Sequence, residues 1–130
     1  MIMSIEHRVD PEMGILFVKR SGRIRTRDEE LAFKQRQEDP LVVPGISVLV
    51  DCREVSPADS TKVIRYLAGQ VTNLAVQLQC GPVAIIVSSD VEYGMARMYM
   101  ALTELAYPNT MVFRDYEEGL AWLLAQAERK

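Results

Sequence analysis

The sequence predicts one α/β domain of five strands and four helices. Three observations carry this. Apolar runs of strand length alternate with helix-period patterns, only the first two strand candidates follow one another without a helix between them, and 130 residues at 48% hydrophobic content suit one core. No linker, internal repeat or low-complexity segment divides residues 1–130.

Residues 3–9 and 14–21 are the first two strand candidates, and Asp10-Pro11-Glu12 between them suits a hairpin because proline presets the turn dihedral. Residues 47–51, 83–88 and 110–113 supply the other three. They are rich in Val and Ile, and the middle one has no polar alternation, as expected of a strand covered on both faces.

Thr26-Arg27-Asp28-Glu29 has the spacing of a capping box and starts a helix that runs to Glu38. Its apolar stripe is thin, essentially Leu31, Ala32 and Phe33. The next helix has the clearest period, with Val63, Leu67, Val71, Leu74 and Leu78 on one face. Ser56 is its expected N-cap, Pro57 its first helical residue, and Cys80-Gly81-Pro82 its end, with Gly81 in a left-handed cap. A third helix follows Ser88-Ser89-Asp90 with Val91, Met95, Met98, Leu102 and Leu105 as its core face. Asp115 caps a fourth, with Leu120, Leu123 and Leu124 inward and Trp122 at the side.

Several function classes lack their residues. The one histidine is His7 in the first strand, so no serine triad is spelled out, and the seven glycines lie singly, without a phosphate-binding loop. Cys52 and Cys80 have neither metal-site spacing nor neighbouring ligands, and reduced, partly buried thiols are expected. No cofactor and no metal is expected. A net charge of −3 gives no global field toward nucleic acid or anionic membrane. The basic stretch Lys19, Arg20, Arg23, Arg25 and Arg27 runs directly into Asp28, Glu29 and Glu30 and reads as a solvated turn. The first ten residues carry Glu6, His7, Arg8 and Asp10 in place of an apolar run, and no stretch reaches the ~18 apolar residues of a membrane span. A cytoplasmic protein is the expectation.

Two sets of candidate site residues follow. Asp51 ends the third strand and Ser88 the fourth, so Asp51, Arg53, Ser88, Ser89 and Asp90 mark the carboxyl edge where parallel α/β sheets take ligands, although the same residues serve as caps and loop anchors. Tyr93, Ala96, Arg97, Tyr99 and Met100 lie off the expected core face of the third helix. They suggest a surface for a homodimer or another protein partner.

The stretches VLVDCREVSPADSTKVIRYL, VAIIVSSDVEYGMARMYMALTE and MVFRDYEEGLAWL, with EDPLVVPG before them, resemble the small bacterial SpoIIAA-like proteins, relatives in fold of STAS domains and SEC14-type lipid carriers. YGMARMY and VFRDYEEGLAWL are the specific part and point to an uncharacterised branch of that group. The resemblance implies a right-handed βα superhelix on a mixed sheet. It also implies a possible phosphorylation switch, since anti-sigma-factor antagonists carry an aspartate, two hydroxyl residues and a glycine after the third strand. Asp59, Ser60 and Thr61 look like the first three, with Ser60 and Thr61 as phosphoacceptors, while Lys62 stands in the glycine's place. The expected function is a non-enzymatic, STAS-like interaction module with a regulatory role. The alternative is a metabolite- or lipid-binding protein, or a minor enzyme, working at the strand-end edge.

Overall fold

The computed structural model describes residues 4–55, 81–102 and 109–128. The strands are β1 (Ile5–Asp10), β2 (Ile15–Gly22), β3 (Ser47–Val55), β4 (Val83–Ile86) and β5 (Thr110–Phe113). The helices are α1 (Thr26–Glu38), α2 (Asp90–Leu102) and α3 (Tyr116–Glu128). The helix expected over 56–80, its Ser56 cap, Ser60, Thr61 and Cys80 lie outside the described residues, as does Leu105.

The five strands form one mixed sheet in the order β1-β2-β3-β4-β5, antiparallel only between β1 and β2. The hairpin turn is held by Asp10, whose Oδ1 accepts from the backbone N–H groups of Glu12 (3.0 Å) and Met13 (3.1 Å). Gly14 then closes it at φ 67°, a left-handed conformation that glycine adopts without strain.

Alternation along the strands divides the core in two. Leu16, Val18, Val48, Val83, Ile85, Val87 and Val112 build one face with Ala32 of α1, and Tyr93, Ala96 and Met100 of α2 pack against it. Ile15, Phe17, Leu49, Ala84 and Ile86 build the other face with Leu123 of α3. Here α3 lies over β3, β4 and β5, and its Trp122 meets Phe113 at a ring separation of 5.8 Å. Glu6 and Arg8 of β1 share that face through their partners Lys19 and Phe17, beyond the strands that α3 covers.

Several expectations change. The cap of α1 is Arg25 rather than Thr26: Asp28, not Glu29, reaches back to the cap, accepting from Arg25 N at 2.9 Å. That one-residue shift frees Glu29, which is 3% exposed and paired with Arg20 through both carboxylate oxygens. Arg20 therefore belongs to the interior and not to a solvated turn. The buried face of α1 is Glu29 and Ala32, while Leu31 is 45% exposed.

Strand β3 continues four residues past Asp51, because β2 itself runs on to Gly22 and offers Ser21 and Gly22 as partners for Glu54 and Val55 beyond a bulge. Conversely β4 stops at Ile86, so Ser88 lies in the following bend. Gly81 has no positive φ. Its missing side chain is needed because a Cβ there would come within 2.4 Å of the Gly45 carbonyl oxygen.

The face of α2 turned to the sheet is Tyr93, Ala96 and Met100. At 100° per residue this is the side opposite Met95 and Met98, which are half-buried. The side chains of Val91, Tyr99 and Leu102 are outside the description. In α3, Leu123 and Leu120 point inward as expected, but Trp122 takes the packing position and Leu124 is 36% exposed.

Candidate functional site

The cross-strand register sets out one row of side chains on the α3 face: Glu6, Lys19, Asp51, Ile86 and Phe113. Asp51 thus stands level with the carboxyl ends of β4 and β5, although its own strand runs on. Its carboxylate accepts from Arg53 Nε at 2.9 Å, Arg53 Nη2 at 2.8 Å and Arg53 N at 3.1 Å. These bonds hold Asp51 below the usual carboxylate value, against the opposing effect of partial burial, and nearby Lys19 adds to the lowering. Arg53 in turn lies 4.9 Å from the ring centre of Tyr116, the first residue of α3.

Ser88, Ser89 and Asp90 act as loop anchors beside this pair. The Ser88 hydroxyl donates to the Arg53 carbonyl (3.2 Å), and Ser88 N donates to Glu92 Oε2 (3.2 Å). Ser89 is the N-cap of α2, since its Oγ accepts from Glu92 N at 3.2 Å and its carbonyl from Tyr93 N at 2.9 Å. Asp90 forms an exposed ion pair with Arg114. The five residues do gather at the carboxyl end, but each is engaged with a neighbour, and Asp51 is the one among them that lines the neighbouring concavity.

That concavity is a groove of about 320 Å³ beside α3, over β1, β2 and β3. Phe17 and Leu49 form its floor, Tyr116 one wall, and Glu6, Arg8, Lys19 and Asp51 its polar lining. Arg8 stacks on its cross-strand neighbour Phe17 with the guanidinium carbon 4.2 Å from the ring centre. Among the described residues this exposed cation forms no ion pair. Lys19 Nζ, by contrast, is 3.1 Å from Glu54. The groove escaped the sequence reading. Its signal was present in β1, where Glu6 and Arg8 alternate with Ile5, His7 and Val9 and mark one polar strand face.

The remaining reactive groups are held elsewhere. His7 Nε2 lies 2.8 Å from Asp39 Oδ2, so this half-buried histidine fastens β1 to the end of α1. Asp39 is held low first by the Leu41 backbone N–H and then by His7. Cys52 points to the opposite face of the sheet from Asp51. It is half-buried by surface area, yet the atoms crowded around it push the thiol up to about 11, so it is protonated and unreactive at neutral pH. Among the described residues no cluster of His, Cys, Asp or Glu is arranged to hold a metal, and no helix is long and apolar enough to cross a membrane.

Of the residues expected at an interface, Tyr93, Ala96 and Met100 face the sheet, and Arg97 is exposed. The outward-facing patch expected of this helix thereby loses three of its members. The helix turns this side inward because Tyr93, Ala96 and Met100 meet Val87, Val112 and their neighbours, a match between surfaces that periodicity alone does not encode.

No family model matches the chain, and no curated protein matches it. Among solved structures it is similar to an uncharacterised protein of the DUF3478 family with a SpoIIAA-like fold from Shewanella loihica PV-4, at 21% identity and a TM-score of 0.58, over 92% of this chain and 91% of that one. That agreement over nearly the whole length, with the same mixed sheet and flanking helices described above, gives this chain a SpoIIAA-like fold.

Proposed function

We propose that the protein is a non-enzymatic binding module that takes a small ligand in the groove between α3 and β1. The observation that carries the reading is the contrast between two sets of polar groups. Asp51, Ser88, Ser89 and Asp90, the groups best placed for strand-end chemistry, are engaged with Arg53, Glu92 and Arg114. Arg8, at the groove, stacks on an aromatic face and forms no ion pair among the described residues. A concavity of this size, part apolar and part charged, falls at the lower end of small-molecule sites. His7, Cys52 and the two serines support no nucleophile and base pair, since each is committed to a structural contact or held protonated.

A thermal-shift screen of the full chain against metabolites, nucleotides and lipids tests the proposal, because a ligand selective for the folded state raises the melting temperature. At least one class is expected to raise it, with the rise lost in Tyr116→Ala and Asp51→Ala. No shift from any class would overturn the binding role. Conversion of the bound compound, followed by NMR, would overturn its non-enzymatic character.

A further inference from the structure

We infer that the free edge of β1 pairs with the same edge of a second copy, the two strands running antiparallel about His7 so that Glu6 of each chain stands opposite the partner's Arg8. β1 is the first strand of the sheet and, among the described residues, pairs only with β2, over six residues in unbroken register. One bond shows which of its backbone groups are engaged. Ser21 N donates to the Ser4 carbonyl at 2.8 Å, and the register beyond that pair sets Ile5 against Arg20 and Glu6 against Lys19. Bonded and non-bonded pairs alternate in an antiparallel ladder, so Ser4, Glu6, Arg8 and Asp10 turn their backbone N–H and C=O groups to β2. Ile5, His7 and Val9 turn theirs to the outer side, where no hydrogen bond meets them among the described residues. An unpaired edge is a template for another strand, and β1 carries neither the proline nor the bulge that commonly blunts one.

The side chains choose the occupant and the register. Glu6 and Arg8 are both exposed, lie on one face of the strand, and form no ion pair among the described residues. Placed one on either side of His7, they make the strand self-complementary about a two-fold axis. With His7 opposite the partner's His7, Glu6 meets the partner's Arg8 at the non-bonded pairs, where facing side chains come closest. Ile5 meets the partner's Val9 on the other face, which both residues share with the core. Moving the centre by one residue sets Glu6 against the partner's Glu6 or Arg8 against the partner's Arg8, and like charges directly opposite are destabilising. The outer groups of Ile5, His7 and Val9 then form about six backbone hydrogen bonds across the axis. Glu6 and Arg8 also line the groove, so the partner's Arg8 and the partner's Glu6 border its outer end. The pairing does not depend on that groove binding a ligand.

The test is sedimentation equilibrium of the full chain at low and high salt. A contact one strand wide is small, so the dissociation constant is expected on the order of 100 μM and is expected to rise with salt. Glu6→Arg and Arg8→Glu each set like charges across the axis and are expected to raise that constant at least about tenfold. The double variant exchanges the two charges, restores both ion pairs, and is expected to return the constant to within about threefold of the parent. Mixed in equal amounts, the two single variants restore the pairs as well, and a mixed dimer is expected where neither variant dimerises alone. Amide exchange followed by NMR reads the register: with rising concentration it slows at Ile5, His7 and Val9, and not at Glu6 and Arg8, whose backbones already face β2. The melting temperature of each variant shows that it is folded. A wild-type chain still monomeric at about 1 mM overturns the inference, as it would be if α1, which packs on β1, screened the edge. A dimer whose dissociation constant is unchanged in both single variants overturns it too, because a different surface is then in use.

Discussion

Glu29 and Arg20 meet through both ends of the carboxylate where α1 packs on the sheet, and the glutamate is among the most buried side chains of the protein. Two charges taken out of water repay their desolvation best while they stay paired, so removing Glu29 strips Arg20 of its two-point carboxylate contact. Glu29→Ala is therefore expected to cost about 3–5 kcal/mol in a denaturant melt, and the double change Glu29→Leu with Arg20→Met considerably less than the single one. A double variant as unstable as Glu29→Ala would mean that packing volume rather than charge is at issue. At this scale the sequence was legible only in part. The spacing Thr26 to Glu29 satisfies a capping box on paper, but Asp28 with Arg25 satisfies the same rule one residue earlier, and only the burial of Arg20 decides between them. Arg8 was hidden for a related reason: its stacking on Phe17 depends on the cross-strand register, which composition does not carry.

Elements were read more securely than residues, because burial on both faces writes itself as unbroken Val and Ile runs in β3 and β4. The end of β3 was missed where Arg53 and Glu54 interrupt that run, yet the backbone pairing with β2 continues beneath polar side chains. The rotation of α2 was missed because Met95 and Met98 are as apolar as Tyr93 and Met100, and periodicity offers both faces. Close approaches between elements are equally silent in sequence. Gly81 N donates to the Ile46 carbonyl at 3.0 Å, and the carbonyls of Gly45 and Ile46 fill the space where a side chain would stand. Gly81→Ala is expected to force the entry of β4 away from β3 at a cost of about 1–3 kcal/mol. An unchanged melting temperature for that variant would show that the backbone yields freely there.

For the whole molecule, two kinds of titrating group bound the pH range of stability. Asp39 and Asp51 are held below their ordinary value of 3.8, so the stability they contribute is present above it and is lost as pH falls through their lower native values. Cys52 sets the opposite limit. Its thiol rises from 9.0 to about 11 on folding, so its contribution is complete below pH 9 and is lost between 9 and 11, roughly 3 kcal/mol in all. Melting temperature against pH should thus show a plateau that falls on both sides, and Cys52→Ala should flatten the alkaline fall while leaving the acid one. An alkaline fall of equal size in that variant would assign it to other groups. The mixed sheet follows the order of the chain from one edge to the other, β1 to β5. A strand leaving the ribosome therefore finds its neighbour already synthesised, and no later segment must be threaded between two earlier ones. A nascent chain halted before Thr110 would present the bare edge of β4, with β3 and β4 still lacking the cover of α3, so β5 and α3 together cap an otherwise adhesive edge.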